Sequence, residues 1–356
     1  MDEDECDSRV LLRVWSLRAI PILALLSLLF TTAVGSADPD SGVSITSVAR
    51  LEKPDLAEGV SAVGGRIYVA GYDSGLSVID ISNPRSPRLC ATIDTPGYAM
   101  GVSTPERARS GRIPTLHAFV ADFDGGLQVV DVTDPRHPTI VGHCALADLA
   151  VDLVAVEDRA FVALGEGGLQ IIDISNPGSP VVISHLDTPG FALDVAMSGG
   201  RALVADGSAL IIIAVSNAHR PKVIESLPLD AVSVTLAGSS AFVGTRDRRL
   251  VVLDVSDPSS ATIVGSVSLP DYPRKVELVH DFALVASGLG GGVIVNISKR
   301  DAPTVVGLIQ TTQAVWDVTT TGGTICIAGP KGIELFEIEV TGDLDGLNLH
   351  QSLDRP

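Results

Sequence analysis

Asp152, Asp194, Lys275 and Asp317 follow one another at intervals of 42, 81 and 42 residues. Each opens a short run rich in β-branched and small apolar residues, the way a strand begins. Intervals of about 41 residues, or twice that, mark a repeat period. If the units close on themselves, side chains at one repeat position meet around one axis. Three carboxylates and an ammonium gathered there could bind a cation or a polar ligand. Filling the same column from the other units adds Gly59, Gly101 and Ser233, and nearby positions add Tyr98, Phe191, Arg274 and Trp316. The candidate ligand-binding set is therefore Asp152, Asp194, Lys275, Asp317, Tyr98, Phe191, Arg274 and Trp316. No catalytic residue is assigned, and no cofactor is expected unless the axial acids hold calcium or another divalent ion.

More conspicuous acids have a duller explanation. Asp80, Asp131, Asp173 and Asp254 recur just ahead of an Asn-Pro or Asp-Pro turn. A carboxylate placed there accepts backbone N–H groups from the turn, so this column is read as structural. His143 and His185 fall on the outer strands of adjacent units, without the further ligands a zinc site needs. Cys90, Cys144 and Cys326 are widely spaced with no CxxC and are read as packing thiols, while Cys6 leaves with an N-terminal signal. No nucleophile elbow, HExxH, P-loop or dinucleotide fingerprint occurs.

The elements that must position these residues are legible as repeats. The segment Gly75-Leu76-Ser77-Val78-Ile79-Asp80-Ile81-Ser82-Asn83-Pro84 returns at residues 126–135 and 168–177, and in more worn form near 214, 254, 296 and 337. The anchors 80, 131, 173, 214, 254, 296 and 337 are 51, 42, 41, 40, 42 and 41 residues apart; an insertion around 104–114 explains the long first interval. Seven units follow. Each holds a first strand, a Gly-Gly-type turn, a second strand such as Ile67-Tyr68-Val69-Ala70, a Gly- and Asp-rich loop, the Leu-x-Val-Ile-Asp strand, and a Pro-opened fourth strand. The loops between second and third strands carry Tyr72, Asp73, Asp122, Phe123, Asp124, Glu166, Asp206, Arg246, Asp247 and Lys331, on the same face as the axial column.

The seventh unit runs out near Val340 after three strands. Residues 44–55 have the pattern of the missing fourth, so an N-terminal strand is predicted to complete the last blade and close a ring. The fold class is all-β: a seven-bladed β-propeller of four-stranded blades over 38–340. The Leu-x-Val-Ile-Asp core resembles the LVIVD repeat family of bacterial and archaeal surface or exported proteins. That resemblance covers about residues 56–340 and implies a β-propeller, with no one activity attached. Ala214, Asn296 and Glu337 replace the Asp of the column, so it is no obligatory sevenfold site.

The ends and the charge frame the function. Arg9, Arg13 and Arg18 precede an apolar run over 19–34 and the small residues Gly35-Ser36-Ala37, which reads as an export signal over 1–37; uncleaved, it would serve as an anchor. No later segment is apolar enough to span a membrane, and the tail 341–356 is expected to be disordered. A net charge of −18 disfavours nucleic acid and anionic lipid. The expectation is a secreted, periplasmic or cell-surface monomer that binds a protein, glycan or small ligand without catalysis. The alternatives are a lactonase-like hydrolase or quinoprotein-like oxidoreductase with an axial metal, and a purely structural envelope component.

Overall fold

The computed structural model describes residues 43–105 and 116–340. They form seven four-stranded antiparallel sheets, and the described residues include no helix long and apolar enough to cross a membrane. Blade 1 consists of Gly59–Val63, Arg66–Ala70, Leu76–Asp80 and Arg88–Ile93, hydrogen-bonded in that order from first to fourth strand. Blades 2 to 6 repeat this plan. Each blade's first strand contacts the first strands on either side, and Asp317–Thr321 of blade 7 contacts Gly59–Val63 of blade 1. The ring is closed.

Closure uses the N-terminal strand as predicted. Val43–Leu51 pairs antiparallel with Gly332–Val340 and becomes the fourth strand of blade 7. The register itself identifies it as a true fourth strand. In blades 1 to 6 the fourth strand carries one unpaired residue, at Cys90, Val141, Ile183, Ile224, Val264 and Val306. The borrowed strand carries the same bulge at Val48. A bulge twists an edge strand away from flat pairing, which protects the rim of the ring from edge-to-edge association.

The core is divided among the junctions between blades. The alternation of a strand sends Ile67 and Val69 towards blade 7, and Tyr68 and Ala70 towards blade 2. Every junction has such a cluster, and the junction of blades 6 and 7 includes Ile45 from the borrowed strand beside Phe282, Ile294 and Phe336. Burying a side chain of that size contributes about 2 kcal/mol, so the N-terminal strand is held by packing as well as by its ladder. Cys144 and Cys326 are buried free thiols and Cys90 is partly buried.

The repeated acids cap turns. Asp80, Asp131, Asp173 and Asp254 each accept through Oδ1 the N–H two residues on, from Ser82, Thr133, Ser175 and Ser256, at 2.8 to 2.9 Å. Asn296 does the same with Ser298 at 2.9 Å, while Glu337 pairs with Arg85 of blade 1 at 2.7 Å. Hydrogen bonds from Ser82, Ser175 and Ser256 hold the carboxyls of Asp80, Asp173 and Asp254 below the usual range. The predicted signal over 1–37, most of the predicted insertion around 104–114, and the tail 341–356 lie outside the described residues.

Candidate functional site

The axial column forms as its spacing requires. Gly59, Asp152, Asp194 and Lys275 each pair with the last residue of their second strand, Asp317 pairs with Ala328 one residue before the end of its own, and Ser233 reaches the same register opposite Gly244 after an irregularity at Val232. Lys275 extends from blade 6 to blades 3 and 4, where Nζ lies 2.6 Å from Asp152 Oδ2 and 2.9 Å from Asp194 Oδ1. The ammonium therefore sits between two carboxylates three and two blades away. Gly101 is small for this reason: a Cβ there would fall 2.5 Å from Asp152 Oδ1.

The carboxylates also join blades to one another. Asp194 Oδ1 accepts the Val195 N–H, and Oδ2 accepts the Val234 N–H of blade 5, both at 2.8 Å. Asp317 does likewise with Val318 at 2.7 Å and with Val60 of blade 1 at 2.8 Å. This latch works where the next blade begins with Gly59 or Ser233, leaving the following N–H available. Blade 4 begins with Asp194, which takes the Val195 N–H itself. Asp152 bonds the Leu153 N–H at 2.8 Å through Oδ1 and gives Oδ2 to Lys275.

Burial and charge pull these groups in opposite directions. Burial alone would lower the Lys275 ammonium, but Asp152, Asp194 and Asp317 outweigh it and hold it well above its ordinary value. Burial lifts Asp194 to about 6 and Asp317 to about 7 even though Lys275 opposes both. Glu277, two residues beyond Lys275 on the same strand face, is lifted by burial to about 7. Side-chain exposure is 3% at Asp194, 14% at Asp152 and 29% at Lys275, so the lysine side chain keeps more contact with water than its partners do.

A second group lies one residue earlier in the column. Arg274 bonds Glu58 at 3.1 Å, with both side chains less than a tenth exposed, and its guanidinium lies 5.0 Å from the Trp316 ring centroid. Blades 6, 7 and 1 each contribute one member, and a desolvated guanidinium over an indole adds up to about 2 kcal/mol.

The remaining candidates, Tyr98 and Phe191, are not part of either ion cluster. Both lie three residues before the axial position, yet they settle differently. Phe191 is buried over Gly165, whose Cβ would stand 2.8 Å from the Phe191 ring. Tyr98 stacks on Tyr72 with centroids 4.5 Å apart and meets Phe123 edge-on at 6.4 Å. The loop acids are largely spent on their own loops. Asp206 accepts N–H groups from Gly190, Ser208 and Ala209, and Asp122 accepts the Thr95 hydroxyl and the Gly97 N–H. Burial lifts Asp122 to about 6 against those two bonds. His185 turns to the Gly167 carbonyl, and His143 stands exposed on its outer strand.

The axial acids thus converge, but on Lys275 and backbone N–H groups; among the described residues no three His, Cys, Asp or Glu side chains are grouped as metal ligands. What the cluster can do is stabilise charge at the starts of the first strands and exchange protons close to neutrality. Column reading from the sequence missed Glu58 and Glu277. Both were within reach: Glu58 shares a column with Arg274 and Trp316, and Glu277 follows Lys275 by one strand period.

No curated protein matches the chain. Among solved structures, the crystal structure of Saccharomyces cerevisiae Sqt1 is similar, with a TM-score of 0.59 and 12% identity over 80% of this chain and 96% of that one. The computationally designed Ika8 protein is similar with a TM-score of 0.57 and 9% identity, over 81% and 85% of the two chains. At such identities the likeness concerns the fold alone. The LVIVD repeat model matches residues 56–95, 117–145, 149–188, 189–227 and 230–268, together more than half of the chain. With the blades, the bulges and the turn-capping acids all following that repeat, the chain belongs to the LVIVD repeat family.

Proposed function

We propose that this propeller is an exported, non-catalytic scaffold that holds a protein, glycan or small ligand on its channel-mouth face. One observation carries the reading: departures from sevenfold regularity gather on that face. The third-strand column keeps Asp in four units and departs from it at Ala214, Asn296 and Glu337, whereas the axial column is more varied and holds Gly59, Gly101, Asp152, Asp194, Ser233, Lys275 and Asp317. The Lys275 bridge and the Tyr72–Tyr98 stack belong to the same set of loops and strand starts. A regular scaffold presenting irregular loops is how repeat folds acquire partners. The Arg-flanked apolar run over 19–34 supports export, and the charge of −18 argues against nucleic acid as the partner.

Blocking one face at a time tests this. In a Cys90→Ser background, a polymer attached at Asp73→Cys covers the mouth face, and one attached at Arg136→Cys covers the opposite turns. A glycan and peptide panel probed with each conjugate is expected to lose its ligands only with the first. Binding that survives the mouth-face polymer overturns the reading. So does turnover of a lactone or an alcohol substrate that disappears in Asp152→Asn, which would establish the enzyme alternative.

A further inference from the structure

We propose that the junction of blades 1 and 2 is a subsite for a cationic group, an ammonium or guanidinium borne by a peptide or small ligand. The inference rests on the mouth face being the binding face and names the chemistry it selects.

Five of the seven second-to-third-strand loops share a backbone point with positive φ. Blades 3, 4 and 6 place glycine there: Gly165 at 57°, Gly207 at 78° and Gly288 at 50°. Blades 1 and 2 place Tyr72 at 51° and Phe123 at 44°. A bulky L-residue in that region costs on the order of 1 kcal/mol, and glycine would avoid the cost. Blade 3 displays the cheaper arrangement, with the Phe191 ring lying over Gly165. At the junction of blades 1 and 2, both the loop and the following connection carry aromatics. Phe123 is fully buried, Tyr98 meets it edge-on, and Tyr72 stacks on Tyr98 at an interplanar angle of 17°. A buried ring thus anchors two half-buried ones. Leu56, Glu157, Arg248 and His280 also take positive φ, so the strain alone is no signature; at Tyr72 it coincides with an aromatic pair raised at a loop tip, and the pair is what points to a ligand.

The surroundings select the ligand. Asp73 adjoins Tyr72, Asp124 adjoins Phe123, and both are exposed, as is Asp94. Asp124 lies beside Gly97, the residue before Tyr98: a Cβ on Gly97 would fall 2.6 Å from its Oδ1. The charges of Asp124 and Asp94 reach inward far enough to help raise Asp122. The nearby Lys53 is bonded to Asp55 at 2.6 Å, and no ion pair among the described residues engages Asp94 or Asp124. Carboxylates accept hydrogen bonds, and aromatic faces are negative. A ligand that donates and carries positive charge satisfies every group present. A sugar hydroxyl can donate to the same carboxylates, but being neutral it gains less from their charge and from the negative ring faces.

The probe is the peptide acetyl-Arg-Arg-amide, titrated calorimetrically at about 150 mM salt, where charges beyond about 8 Å are screened. The wild-type chain is expected to bind it. Tyr98→Leu and Tyr72→Gly are each expected to weaken binding about five- to tenfold. Tyr72→Gly also relieves the backbone, so its thermal midpoint holds or rises while affinity falls, a split that a merely structural tyrosine would not give. Asp134→Asn, on the opposite turns, leaves affinity unchanged. Absence of binding to the wild type, wild-type affinity in both tyrosine variants, or equal loss in Asp134→Asn overturns the subsite. The two readings fail separately. If the peptide is ignored while the mouth-face polymer blocks another ligand, only the cation subsite falls. If the tyrosines control peptide binding but the polymer blocks no ligand of the panel, only the wider face falls.

Discussion

Aspartate occupies two columns of this propeller and behaves oppositely in them. At the rim, Asp80, Asp173 and Asp254 accept hydrogen bonds from the turn that follows, and those bonds hold their carboxyls low. At the axis, Asp194 and Asp317 also accept backbone N–H bonds, yet burial lifts them to about 6 and about 7. The hydrogen-bonding is similar, so solvent makes the difference: the rim keeps its water, while the axis has exchanged water for one lysine and its neighbours' dipoles. The rim column repeats because every blade needs the same turn. The axial column does not repeat, because seven acids around one narrow opening could not all ionise. Regularity here encodes folding, and the breaks in regularity locate the chemistry.

The comparison is broken most severely by removing its one axial cation. Lys275→Met leaves Asp152 and Asp194 facing each other without a counter-charge. The cost is expected to be about 3 kcal/mol at pH 8, the low end for a broken buried pair because Lys275 keeps some contact with water. Asp194 then titrates higher still, so the deficit shrinks as pH falls towards 5. Urea midpoints at the two pH values measure both effects. Adding Asp194→Asn recovers part of the loss, and a double-mutant cycle gives the coupling. An equal loss at both pH values would show that the lysine acts through packing alone.

How far the sequence reaches follows the same division. The blades, their strand order and the closing strand were legible because Leu-x-Val-Ile-Asp, the Asn-Pro turns and the fourth strand missing from the seventh unit all answer local needs that recur. Even the bulge at Val48 has six counterparts to be compared with. Column alignment also placed Asp152, Asp194, Lys275 and Asp317 around one axis. It could not say that Lys275 would reach blades 3 and 4, since that depends on ring radius and side-chain length. Nor could it say that Tyr98 and Phe191, in one column, would part company. Their fates are decided by Tyr72 and Gly165 in another strand's loop, and nothing local in the sequence marks Tyr72 as adopting a φ of 51°.

A smaller effect sharpens the contrast without any substitution. Asp194, Asp317 and Glu277 have folded values raised above their unfolded ones near 4, so the folded chain binds more protons between pH 4 and 7. Their contribution therefore improves as pH falls through 7 and is fully recovered below about 4. Asp80, Asp173 and Asp254 are depressed, so theirs is present above pH 4 and lost below it. Thermal stability is expected to rise from pH 8 towards a maximum near 5 and then fall. The three axial groups share one lysine, so their shifts are not independent and the rise amounts to about 2 kcal/mol rather than the sum of separate shifts. Glu277→Gln should flatten the upper limb while leaving the acid limb in place. A stability curve that climbs from pH 5 to 8 would contradict the axial half of the comparison.

The smallest effect belongs to the turn-capping acid of the repeat. Asp173→Ala removes the bond to the Ser175 N–H, a group that lies in an exposed turn and can turn to water instead. Blade 4 already carries Ala214 in this column, and its third strand Leu210–Ala214 forms with the same pairing and the same bulge. The loss is therefore expected to stay within about 0.5 kcal/mol, read as a shift in urea midpoint with an unchanged slope. Its pH signature must be opposite to that of Lys275→Met: the Asp173 deficit is present at pH 7 and vanishes below pH 4, where the wild-type carboxyl is itself protonated. A large loss would mean that rim acids carry the blades after all, and that Ala214 survives only because blade 4 is supported elsewhere.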